Sequence, residues 1–92
     1  MMPAYEYLVC CSQFNKITHV NDRWHGRLPP QRGDEAIDSC PGLAAFLQQA
    51  GAEGWELVSA YAVPYQSGTL EKLFFKRPVR DAGRSDDRIR GG

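Results

Sequence analysis

The chain of 92 residues has no uninterrupted apolar run near the roughly 18 residues that a membrane-crossing helix needs. Its opening segment, MMPAYEYLVCC, has no basic stretch ahead of its short apolar one, so it does not read as a secretory leader. The expectation is a cytoplasmic protein with no membrane contact. Neither charge sign is in surplus: 11 Lys and Arg stand against 11 Asp and Glu. That balance argues against a whole-surface electrostatic grip on nucleic acid or an anionic membrane. Cysteine is scarce and odd in number. Cys10, Cys11 and Cys40 show no CxxC spacing, and with no leader they do not read as a disulfide framework. Small buried hydrophobes are the simpler reading. Neighbours on a strand point to opposite faces, so Cys10 and Cys11 do not both serve one site. There is no Ser-His-Asp signature, no phosphate-binding glycine loop and no paired-carboxylate arrangement. The expectation is therefore no enzyme, no catalytic residue and no cofactor.

What is present, 42% hydrophobic and 24% charged residues, describes one small domain. Tyr5 to Ser12 alternates, with Tyr5, Tyr7, Val9 and Cys11 on one face of a strand and Glu6, Leu8, Cys10 and Ser12 on the other. Lys16 to Val20 is β-branched and alternating, Asn21-Asp22 is a turn pair, and Arg23 to His25 resumes an extended pattern, which makes a hairpin. Leu28 to Asp34, with two prolines and a glycine, reads as an exposed linking loop. A helix is expected from Ser39 as cap, with Pro41 in the first turn and Leu43, Phe46, Leu47 and Ala50 as its apolar face. Asp34, Glu35 and Asp38 precede it, where the helix dipole favours negative charge. Its end has two readings. Gly54 takes the left-handed position with Trp55 folding back onto Ala50, or Gly51 itself does so one turn earlier. In the first case Gly51 lies inside the helix, at a cost offset by close approach of the sheet. Trp55 to Val63 reads as a strand with Leu57, Ser59, Tyr61 and Val63 opposite Val58, Ala60 and Ala62, the small residues suggesting a helix-covered face. Pro64 to Gly68 is a turn. Thr69 to Arg77 is a last strand, with Leu73 and Phe75 on one face and Leu70, Phe74, Lys72 and Lys76 on the other.

The order β-ββ-α-β-β builds a two-layer α+β domain over residues 1–78, an antiparallel sheet with one helix on a face. Residues 79–92, rich in Arg, Asp and Gly, are expected to form a flexible tail. One short helix cannot cover the whole sheet, and several of the aromatics must lie on the other face, so self-association through the sheet is expected.

The run from Leu47 to Val58, containing GAEGWELV, with Leu73 to Pro78 and the opening Tyr5-Glu6-Tyr7, resembles a small bacterial domain-of-unknown-function family, number 4177. That family is marked by the GAEGWELV core and a terminal FKR strand. The resemblance spans the first strand and about Ser39 to Pro78, while Asn15 to Asp38 looks longer than the family's minimal pattern. It implies a small β-rich domain with one helix and supplies no catalytic or ligand residue.

The most suggestive surface segment is Arg23, Trp24, His25 and Arg27, near Lys16, His19 and Arg32, a local excess of three positive charges. Arginine beside tryptophan suits a protein interface or stacking on single-stranded nucleic acid; an ordinary hairpin with Trp24 packed down is the commoner case. Charge is also segregated, residues 34–56 carrying five acids and no base, and residues 76–92 a net of plus three. Complementary regions of this kind suit pairing between copies. His19 and His25, six residues apart, could join Cys11 or Cys40 at a metal only by convergence that the spacing does not advertise. No metal is expected. The function expected is a non-enzymatic protein-interaction or self-assembly module. A nucleic-acid binder using the Arg23 to Arg27 hairpin and the basic tail is the alternative.

Overall fold

The computed structural model describes residues 4–66 and 68–79. Among the described residues five strands form one antiparallel sheet: β1 (Tyr5–Gln13), β2 (Lys16–Val20), β3 (Arg23–Trp24), β4 (Glu56–Tyr65) and β5 (Gly68–Pro78), in the spatial order β3-β2-β1-β5-β4. A short helix α1 (Asp34–Asp38) and the main helix α2 (Leu43–Ala52) lie between β3 and β4. This is the α+β architecture expected from the order of elements.

Two tight hairpins set the β1-β2-β3 half. Phe14 and Asn15 join β1 to β2 and Asn21 and Asp22 join β2 to β3, all four at positive φ between 50° and 68°. Two-residue loops of this kind match the right-handed twist of the strands. Asn21 adds a second tie, its Oδ1 accepting from Val9 N–H at 3.0 Å. On β1 the alternation expected from the sequence holds, Cys10 and Ser12 being fully buried while Tyr7 is exposed. The core forms on that buried face from Cys10, Ile17, Ala50, Leu73 and Phe75, flanked by Leu8, Val20, Leu43, Phe46, Leu47 and Trp55.

The helical segment departs from expectation at its start. Ser39 does not cap the main helix; it ends α1, its Oγ donating to Ala36 O at 2.6 Å and accepting from Leu28 N–H at 3.0 Å. Asp34 and Glu35 accordingly occupy the first turn of α1. Leu28 to Asp34, expected as plain loop, contains a 3₁₀ turn at Pro30–Arg32 and the first residue of α1. Pro41 stands outside α2, whose cap is Gly42. The reason is a competing backbone bond: Pro41 O accepts from Ile17 N–H at 2.8 Å, and Asn15 O accepts from Leu43 N–H at 2.8 Å. These bonds fasten the start of α2 to the β1-β2 hairpin.

The helix end follows the first reading. Gly54 sits at φ +92°, its N–H donating to Gly51 O at 3.0 Å, while Trp55 N–H donates to Ala50 O at 2.9 Å. Both bonds of a Schellman ending are present. Gly51 corrects an expectation: it is exposed, and a Cβ built on it meets nothing within 4 Å, so no close approach of the sheet explains it. Gly51→Ala is expected to stabilise the fold by about 0.5–1 kcal/mol, since glycine inside a helix is inferior to alanine by that much. A raised thermal unfolding midpoint is the readout; a lowered one would mean that the glycine serves something other than the helix.

Fastening α2 to β2 also decides what it leaves bare. The small residues of β4 suggested a strand under the helix, yet every residue of Glu56–Tyr65 is exposed. A helix of ten residues is about 15 Å long, and from its anchor beside β2 it does not shield the far edge. A bulge between Leu57 and Ser59 changes the facing of β4 as well. Leu57 pairs with Phe75 on the helix side, while Ser59, Tyr61 and Val63 pair with Phe74, Lys72 and Leu70 on the open side. The strand runs on through Pro64 and Tyr65, which were expected in the turn. Of the flexible tail expected over residues 79–92, Val79 donates its N–H to Ala4 O at 2.9 Å, and residues 80–92 lie outside the described residues.

Candidate interaction surface

The hairpin residues singled out from the sequence do not converge on one face. Trp24 is half-buried, with Nε1 donating to Leu28 O at 2.8 Å and its ring edge-on to His19 at 5.6 Å. It is packed as a structural anchor, and Gly26 beside it is required: a Cβ there would lie 2.6 Å from the indole and 2.8 Å from Ser39 Oγ. Arg23 pairs with Val20, on the helix side, whereas Trp24 pairs with His19, which pairs in turn with Cys11 on the open side. His25 turns toward α2, its ring 6.2 Å from that of Phe46, and Arg27 is exposed. His19 and His25 thus stand on opposite sides of the sheet, and among the described residues no three His, Cys, Asp or Glu side chains could hold a metal ion.

Two segments distant in sequence meet at Arg77. Its guanidinium lies 4.2 Å from the centre of the Trp55 ring, Nε donates to Glu6 at 2.6 Å, and Nη1 donates to Glu53 O, at the helix cap, at 2.7 Å. The GAEGWELV and FKR segments therefore form one structural clasp that locks the end of α2 onto β5. Their glycine, tryptophan and arginine serve cap geometry and packing.

The three cysteines differ in access. Cys10 is fully buried and Cys40 nearly so, and loss of solvent around each thiol raises its pKa, for Cys10 from 9.0 to about 11. Cys11 lies on the open side, partly exposed, between His19 on β2 and Lys72 on β5. Alkylation requires the thiolate, and a raised pKa keeps a thiol protonated at neutral and mildly basic pH. Iodoacetamide at about pH 8 is expected to label Cys11 in the folded protein and the other two only after denaturation. Mass spectrometry of the peptides reads this directly, and labelling of native Cys10 would show that the core opens.

Apolar surface is concentrated at β4. Leu57, Val58, Tyr61, Val63 and Tyr65 are all exposed large hydrophobics, and they project from both sides of a strand that is itself a sheet edge. The two edges contrast. The β3 edge has two residues, one of them Arg23. The β4 edge has ten, with no charge from Leu57 to Tyr65. Natural edges are blunted by shortness, charge, proline or bulges; β4 has its bulge near one end and Pro64 near the other, leaving Ser59–Val63 unguarded. The sequence held this signal in the charge-free run LVSAYAV, but β4 as an edge is a fact of topology. A cleft of about 290 Å³ between α2 and the sheet, lined by Leu8, Val20, His25, Phe46 and Trp55 among others, is mostly apolar. No family model, curated protein or solved structure matches the chain.

Proposed function

We propose that the protein is a non-enzymatic self-assembly module in which two copies pair β4 against β4, antiparallel about a two-fold axis near Ala60. The observation that carries this reading is the long, uncharged β4 edge with apolar side chains on both of its sides. A two-fold contact must be self-complementary. Around Ala60 the paired segments are neutral, and Glu56 of each copy falls near the far end of the other strand, away from its mate. Pairing would satisfy the outward backbone groups and remove water from Leu57, Tyr61 and Val63, worth about 1 kcal/mol for each half-exposed side chain buried. The result is one continuous sheet with α2 of both copies on it.

The three free cysteines fit a reducing, cytoplasmic setting, and among the described residues no helix is long and apolar enough to cross a membrane. Light scattering after size exclusion tests the reading. The expected mass is twice the chain mass of 10.3 kDa, retained in high salt because the contact is apolar and backbone-mediated. A monomer at every concentration would end it.

A further inference from the structure

The side of the sheet away from α2 carries an ordered pattern of which edge pairing would cover Tyr61 alone. Across β1, β5 and β4 the register sets Tyr7 beside Lys76, Val9 beside Phe74 and Ser59, and Cys11 beside Lys72 and Tyr61. Tyr7, Phe74 and Tyr61 therefore run diagonally over three adjacent strands. Lys76 and Lys72 stand on β5 to either side of Phe74. Tyr7 is 64% exposed and Tyr61 50% exposed, and the Tyr61 and Phe74 rings lie 5.8 Å apart at 33°. From strand spacing and rise, the diagonal spans about 16 Å. A fourth ring, Tyr5, lies under the Lys76 ammonium at 4.6 Å. The acids near this surface are Glu56, paired with Lys76, and Asp22, in the β2-β3 turn.

Exposed and partly exposed rings on an open sheet face, interleaved with cations, suit a ligand that offers planar aromatic faces joined by regularly spaced negative charges. Single-stranded nucleic acid has that chemistry: bases stack on aromatic side chains without regard to sequence, and phosphates meet lysines. A duplex keeps its bases stacked on each other and cannot present them to a sheet. A second copy fits less well, because face-to-face packing would set Lys72 and Lys76 against their own counterparts or bury them among tyrosines. We propose that the open face is a stacking platform for single-stranded DNA or RNA, with Tyr7, Phe74 and Tyr61 receiving two or three bases and Lys72 and Lys76 the phosphates between them. The site lies on the face of one copy and does not rest on β4 pairing. It is also separate from the Arg23 to Arg27 hairpin, whose tryptophan is already tied to Leu28.

The test is fluorescence anisotropy of a labelled oligothymidylate with the full chain. Saturable binding is expected at low salt, with log K falling against log salt at a slope of about −1.4, from about 0.7 for each of two phosphate contacts on a single strand. Lys72→Ala is expected to reduce that slope to about −0.7. Tyr7→Ala, at an exposed site that should not disturb folding, is expected to weaken binding by about 5- to 150-fold, as loss of one stacked base does. Tyr7→Phe is expected to restore it and Arg27→Ala to leave it unchanged, while a duplex of the same length should compete poorly. The proposal is overturned by an unchanged anisotropy at about 100 μM protein, the weak end of non-specific binding. It is equally overturned by binding that survives Tyr7→Ala and Lys72→Ala together, which would place the contact elsewhere in the chain. A Tyr7→Ala protein whose mass in solution changes while its oligonucleotide affinity does not would show that a second copy covers this face.

Discussion

Ala60→Lys is expected to convert the proposed dimer into a monomer. Ala60 is exposed and lies beyond the reach of α2, so a lysine there costs the isolated fold little. At a two-fold axis near residue 60, each lysine is brought toward its own mate, and like charges facing each other at an interface cost several kcal/mol. That corresponds to a dissociation constant raised by about a hundred-fold or more. Lysine on an edge strand is also the commonest natural guard against pairing, so charge and edge effects act in one direction. Ala44→Lys, on the exposed side of α2, adds the same charge away from β4 and is expected to leave the mass unchanged. Equal effects from both variants would point to net charge, and no effect from Ala60→Lys would remove β4 from the contact.

Phe75→Ala is expected to be the most damaging single truncation in the domain, at about 3–5 kcal/mol. The buried apolar set is small, and Cys10, Cys40, Ala36 and Ala50 supply little volume, which leaves Ile17, Leu73 and Phe75 to fill it. Phe75 is 2% exposed and packs edge-on to Phe46 with ring centres 6.3 Å apart, joining sheet to helix. Domains of this kind are stable by about 5–15 kcal/mol, so the loss removes a large share of the total. Leu57 is the internal control, because it sits opposite Phe75 on β4 yet is 45% exposed. Leu57→Ala is expected to cost less than about 1 kcal/mol in urea unfolding at low protein concentration, by the area rule for a side chain already half in water. A larger loss for Leu57 than for Phe75 would mean that the helix covers β4 in solution.

Much of this fold was legible residue by residue. Alternation set Cys10 and Ser12 on one face of β1 and Tyr7 and Cys11 on the other, and of the two readings of the helix ending the backbone bonds complete the one with Gly54 and Trp55. What could not be read depended on contacts made far along the chain. Ser39 looks like a helix cap because serine usually is one; here its hydroxyl is taken by Leu28 and Ala36, and the true start of α2 is held by Asn15 and Ile17. The bulge at Val58 has no sequence marker, and it moved Leu57 to the other side of the sheet. The interaction surface was half legible. Aromatic surplus on an uncovered face followed from counting, but the Arg23 to Arg27 hairpin drew notice through composition, and the structure instead ties Trp24 down and spreads its neighbours over both faces. The diagonal of Tyr7, Phe74 and Tyr61 depends on strand order, with β5 between β1 and β4, which no local pattern encodes.

Backbone amide exchange along β4, followed at low and high protein concentration, tests edge pairing most directly, because it reports the hydrogen bonds themselves. Pairing about Ala60 requires the outward amides within Ser59–Val63 to exchange more slowly as concentration rises, while the β3 edge at Arg23 and Trp24 does not change. Exchange rates on β4 that are independent of concentration, in a protein whose mass is nonetheless doubled, would place the contact on another surface and contradict the β4 interface.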